Sequence, residues 1–216
     1  MDVLKLREIK SSFRRAMNAD LSNSMRAHGV LYKINFGVPA PRMKLIASSF
    51  EPNVDDATYL WNEDVRESKI LATYLYPKES MTLAIALEWV DSIRYVELAD
   101  QLAMNLLAHL PFASELIDSL LQQPSPMAHY TAYRLQMRLF IHTTVLADSS
   151  LVHIKQDLLS PITYLAQAAI QLLERLTDLD ASKQPIVSSL LQDWRNDTTQ
   201  GKSYLYETIC YWDFDK

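Results

Sequence analysis

Glycine is nearly absent: three in 216 residues, at Gly29, Gly37 and Gly201. Three glycines cannot serve the tight turns of a β-sandwich or barrel. They also fit neither a G-x-G-x-x-G dinucleotide loop nor a Walker A loop, because neither spacing occurs. The single cysteine, Cys210, excludes an internal disulfide and a cysteine-based zinc cluster. No apolar run approaches 18 residues, so no membrane span is expected. Residues Met1 to Lys10 are charged and amphipathic, unlike a secretory leader, and the expected location is the cytoplasm. H-E-x-x-H and G-x-S-x-G are both missing, and the five histidines have no ligand spacing. No metal and no cofactor is expected.

What remains is ordinary globular composition, 49% hydrophobic and 22% charged. The length predicts a single domain over residues 1–216 with a core of its own. The net charge of −5 speaks against simple duplex-DNA binding, since such domains are more often basic. The charge is unevenly placed, however. Residues 1–50 carry nine basic residues against three acids, a net of +6, and the rest of the chain is −11. Arg14, Arg15 and Lys44 belong to this basic segment, which suits phosphate or an acidic protein and equally suits a solvated helix face.

Periodicity predicts helices throughout. They fall near 3–17, 20–28, 40–50 and 53–61, with Asn53 or Asp55 as a cap. The next runs from an Asn62 cap to Leu75, followed by 80–91, 95–110, 112–122, 126–143, 161–177, 184–195 and 202–212. Residues 144–160 receive no element. Ser125-Pro126 and Ser160-Pro161 read as cap-then-proline helix starts. The longer helices begin near 64, 95, 126, 161 and 202, a spacing of about 30–40 residues that is typical of helical-repeat arrays. The fold class is therefore all-α, an α-α superhelix of HEAT-like or armadillo-type repeats with a concave groove. A compact helical bundle is the competing architecture.

Asp100 borders the apolar face of helix 95–110. A carboxylate there either accepts hydrogen bonds from a neighbouring helix or arginine, or stands on a groove wall to oppose developing positive charge. Arg134 and Arg138 lie four apart on one helix face, a spacing that suits a phosphate as well as plain solvation. Tyr95 can stack on a base or sugar, whereas Trp61 and Trp89, on apolar faces, read first as packing.

Two segments carry a family resemblance: Tyr32-Lys33-Ile34-Asn35-Phe36-Gly37-Val38-Pro39-Ala40-Pro41-Arg42, and Leu60-Trp61-Asn62-Glu63-Asp64-Val65-Arg66-Glu67-Ser68-Lys69. Together, in this order, on a glycine-poor helical chain, they resemble the DNA alkylation repair family of AlkD-like HEAT-repeat glycosylases. The resemblance is clear over about residues 22–110. It implies a superhelix cradling duplex DNA. It also implies excision of N3- and N7-alkylated purines without base flipping, by a catalytic aspartate and by tryptophans packed against the sugar-phosphate backbone. By this resemblance Tyr95-Val96-Glu97-Leu98-Ala99-Asp100 occupies the active-site stretch. Asp100 stands at the catalytic aspartate and Tyr95 at the first tryptophan. Val96 stands at the second tryptophan and Glu97 at the first acid. Trp61, Arg134 and Arg138 join Tyr95 and Glu97 as candidate DNA-binding residues.

Two functions stay open at this level. The chain resembles an alkylpurine DNA glycosylase that binds duplex DNA, a reading carried by Asp100, Tyr95 and the basic segment. The alternative is a non-catalytic HEAT-type module that binds a protein or an unusual DNA structure. Val96, which offers no flat surface to a sugar, and the net negative charge favour that second reading.

Overall fold

A computed structural model describes residues 2–140, 142 and 145–210. Among these the chain forms thirteen α-helices and five short 3-10 turns. The only strand-like pairing is one isolated parallel bridge between Ile34 and Val65. The chain divides into two compact units: Met1–Thr82 with Met104–Leu110, and Leu83–Ala103 with Pro111–Lys216.

The first unit holds α1 (Val3–Arg15), α2 (Ala19–Ala27), α3 (Ala40–Ala47), α4 (Val54–Asn62) and α5 (Arg66–Leu75). Asn53 caps α4 by accepting the Asp56 amide at 3.0 Å. Helix α5 begins at Arg66 and not after Asn62, which is the last residue of α4. The reason is local pairing. Ile34 donates its amide to Asp64 O at 3.2 Å and accepts the Arg66 amide at 3.1 Å, so Glu63 to Val65 is held extended.

The two signature segments lock onto each other in this unit. Arg66 and Glu67 are fully buried, 1% and 0% exposed. Glu67 Oε1 accepts from the Arg66 guanidinium at 2.7 Å and the Val38 amide at 3.1 Å, while Oε2 accepts the Phe36 amide at 3.0 Å. Arg66 also donates to Val38 O at 3.0 Å. The ion pair thus grips both sides of Gly37. Gly37 has φ +67°, and a Cβ there would meet Asn18 O at 2.1 Å, so only glycine fits. A buried charge pair is tolerable here because further hydrogen bonds satisfy both partners.

The second unit holds α6 (Leu83–Asp91), α7 (Val96–Asn105), α8 (Ala113–Leu121), α9 (Pro126–Leu139), α10 (Asp148–Leu158), α11 (Thr163–Leu179), α12 (Gln184–Leu190) and α13 (Lys202–Cys210). The expected helix 95–110 is divided. Leu106 leaves helical geometry, and Leu107–His109 forms a 3-10 turn. Ser125 caps α9 as expected, but Ser160 does not cap α11; its hydroxyl accepts the Ile162 amide in a turn ahead of the helix. The ends expected at 143 and 212 lie outside the described residues. Helix α10 fills the stretch that periodicity left blank. Its buried face mixes Ile154 and Leu158 with Ser150 and Asp157. The two polar groups are satisfied across the packing, by Gln136 at 2.7 Å and by Tyr133 at 2.5 Å. A core face written partly in polar residues carries little hydrophobic rhythm.

Candidate functional site

Asp100 projects from the middle of α7, and α9 meets it with two residues one turn apart. Tyr130 donates its hydroxyl to Asp100 Oδ1 at 3.0 Å, and Arg134 donates Nε to the same oxygen at 2.6 Å. The remaining oxygen, Oδ2, accepts no hydrogen bond among the described residues. The second layer comes from α11. Gln171 accepts from the other side of the Arg134 guanidinium at 2.9 Å, and the Tyr164 ring stands edge-on to Tyr130 at 5.5 Å. Asp100 is 29% exposed and Arg134 24%. At that exposure the ion pair itself contributes at most about 1 kcal/mol, so its effect is geometric: it fixes the carboxylate's direction. Burial first, then the Asp100 charge, pushes the Tyr130 phenol well above its ordinary range, so it stays a donor.

The arrangement combines both sequence readings of Asp100. It accepts hydrogen bonds from an arginine and a tyrosine, and it is still open to solvent on one side. A fixed carboxylate of this kind can oppose positive charge developing on a bound molecule.

The other candidates are placed as follows. Glu97 lies half-buried in the first turn of α7, and Val96 beside it is also half-buried. Tyr95 just precedes the helix and is half-buried, with the Arg94 guanidinium 5.6 Å from its ring centre. Arg138 lies one turn beyond Arg134, and both line a cavity with Met137 and Arg175. Trp61 is buried at 3% exposure in the first unit; Lys69 donates to its carbonyl and sits 5.0 Å from the ring centre. Its surface is taken up by packing, the first of its two sequence readings. Arg14 and Arg15 lie exposed on α1, and Lys44 is exposed on α3. Two other basic residues of that segment are engaged locally, Lys5 with Asp56 at 2.6 Å and Lys10 with Glu63 at 2.5 Å.

Three site residues escaped the sequence reading: Tyr130, Gln171 and Arg175. Tyr130 had a usable signal, because it lies four residues before Arg134 on the same helix and so shares its face. Gln171 and Arg175 meet α9 only through tertiary packing.

No helix among the described residues is long and apolar enough to cross a membrane. Fold and site together define an all-α helical-repeat protein with an arginine-anchored, partly open carboxylate. The family model described as DNA alkylation repair enzyme matches residues 9–170, well over half of the chain, and the protein belongs to that family. Among solved structures it is similar in fold to a protein from a new family related to the HEAT-like repeat DNA glycosylases with affinity for branched DNA structures. That likeness has a TM-score of 0.73 at 13% identity, over 87% of this chain and 82% of the other. No curated protein matches the chain by sequence.

Proposed function

We propose that the protein binds DNA, and that Asp100 is the group set against the sugar of an N3- or N7-alkylated purine nucleotide. The carrying observation is the carboxylate itself, held on one oxygen by Tyr130 and Arg134 and open on the other. An alkylated purine is cationic, so its glycosidic bond is already weak. As the C1′–N bond breaks, its electron pair goes to the base and neutralises it. Positive charge builds on the sugar, where a carboxylate is the stabilising partner. Water then adds to C1′ and gives up a proton. This chemistry needs no extrusion of the base and no metal. Arg134 keeps Asp100 pointed, and exposed basic residues such as Arg14, Arg15 and Lys44 are suited to phosphate contacts.

A second reading rests on one observation. Val96 stands where the resemblance places an aromatic residue, and a half-buried valine gives the sugar no flat wall. On that reading the same site recognises DNA shape, including branched forms, or a protein surface, without chemistry.

The deciding experiment is base release from methylated duplex DNA by wild type and Asp100→Asn, with binding and melting measured in parallel. Asp100→Asn keeps size and removes charge. Excision should fall by about 10²-fold or more, the scale for losing an aimed electrostatic group, with DNA affinity largely kept. Wild-type protein that binds DNA but releases no base leaves the second reading. Wild type that binds no DNA refutes both DNA-based readings.

A further inference from the structure

The α9–α11 contact has a register. Tyr130 meets Tyr164 and Arg134 meets Gln171, so positions advance in the same direction on both helices and the two run parallel. One turn beyond the Arg134–Gln171 contact come Arg138 on α9 and Arg175 on α11. These two arginines, with Arg134 and Met137, line a cavity of about 240 Å³. Asp100 meets the charge of Arg134. Neither Arg138 nor Arg175 forms an ion pair among the described residues, and the acids on the same helix, Glu174 and Asp178, pair with neither. Two uncompensated guanidinium groups at one concavity repel each other, and a bound anion removes that cost.

We propose that this cavity binds a phosphate group, with Arg138 and Arg175 as its two charged ligands and Arg134 at its inner edge. Planar guanidinium groups offer paired N–H donors that match phosphate oxygens two at a time. In its choice of source, a backbone phosphodiester of DNA, the inference rests on the DNA-binding reading. It extends that reading with Arg175, which lies beyond the matched residues 9–170. An inorganic phosphate or pyrophosphate presents the same oxygens.

The test has two arms. In the first, fluorescence anisotropy follows binding of a labelled duplex and a labelled four-way junction over a salt series, for wild type and the Arg138→Gln/Arg175→Gln double variant. In the second, thermal melts compare sodium pyrophosphate with sodium chloride at equal ionic strength. Melting in chloride should be the same for both proteins, because neither arginine is in the core. The double variant should bind DNA about ten-fold more weakly, with the slope of log K against log salt shallower by about one phosphate contact. If wild type binds DNA and the variant matches it in affinity and slope, the phosphate site is refuted and DNA binding stands. If wild type binds no DNA but pyrophosphate raises its melting temperature and not the variant's, DNA binding is refuted and the anion site stands. If wild type responds to neither, both fall.

Discussion

Glu67→Gln is the most demanding test of how this fold is held together. The substitution keeps size and shape, so no cavity opens. Three donors converge on the native carboxylate: the Phe36 amide on one oxygen, and the Val38 amide with Arg66 on the other. A glutamine has one acceptor oxygen. If it serves Val38 and Arg66, its NH2 group faces the Phe36 N–H, donor against donor. Arg66, 1% exposed, also loses the Glu67 charge that pairs with it at 2.7 Å. Breaking a buried pair from one side costs about 3–5 kcal/mol. In a chain of this length that corresponds to about 6–20 °C in melting temperature, at 2–4 °C per kcal/mol. Urea denaturation at neutral pH measures the loss, and amide exchange locates it: protection at Phe36 and Val38 should fall more than elsewhere. Replacing both charges, Arg66→Met with Glu67→Met, should leave the protein clearly less stable than wild type. The ion pair would be gone from both sides, but the Phe36 and Val38 amides and the Val38 carbonyl would lose their partners, at about 1–3 kcal/mol for each that is buried. A Glu67→Gln protein within about 1 kcal/mol of wild type, or a double variant as stable as wild type, would refute the assignment of Glu67 as the clamp on the Gly37 turn.

Two further outcomes follow from charge placement. His129 faces acceptors on both ring nitrogens, Asp157 at 2.8 Å and Gln123 O at 2.9 Å. The Asp157 hydrogen bond raises its pKa above the ordinary 6.5 despite partial burial. Its stabilisation is therefore full below about pH 6.5 and fades as pH rises through the folded-state value; the urea midpoint of wild type should decline over that interval more than that of His129→Gln. Charge reversal at Arg14, Arg15 and Lys44 together should weaken DNA binding and flatten its salt dependence, and anisotropy showing neither change would remove these three residues from the interface.

The helical class and the repeat spacing were legible because they rest on local rules. Scarce glycine, cap residues and three-to-four-residue periodicity predict starts near 95, 126 and 202, and the helices begin at 96, 126 and 202. Misplaced elements had non-local causes. Helix α5 starts late because a bridge to Ile34 holds Val65 extended, and α10 was invisible because its buried polar residues find partners on α9. Asp100 stood out from its own helix alone, as a carboxylate at the border of an apolar face. Tyr130 and Arg134 as its partners, and Arg175 beside Arg138, depend on packing between helices about 30–40 residues apart, which no local pattern encodes.

The Arg66–Glu67 clamp changes what the recognisable segments of this chain mean. Within them, Arg66 and Glu67 make hydrogen bonds with Phe36 and Val38 and so hold the turn around Gly37. Asp100 and its arginines take no part in that clamp. Val96, on α7, is likewise outside it. Kinship read from such segments therefore speaks for a shared scaffold, and the chemistry at Asp100 has to be tested on its own residues.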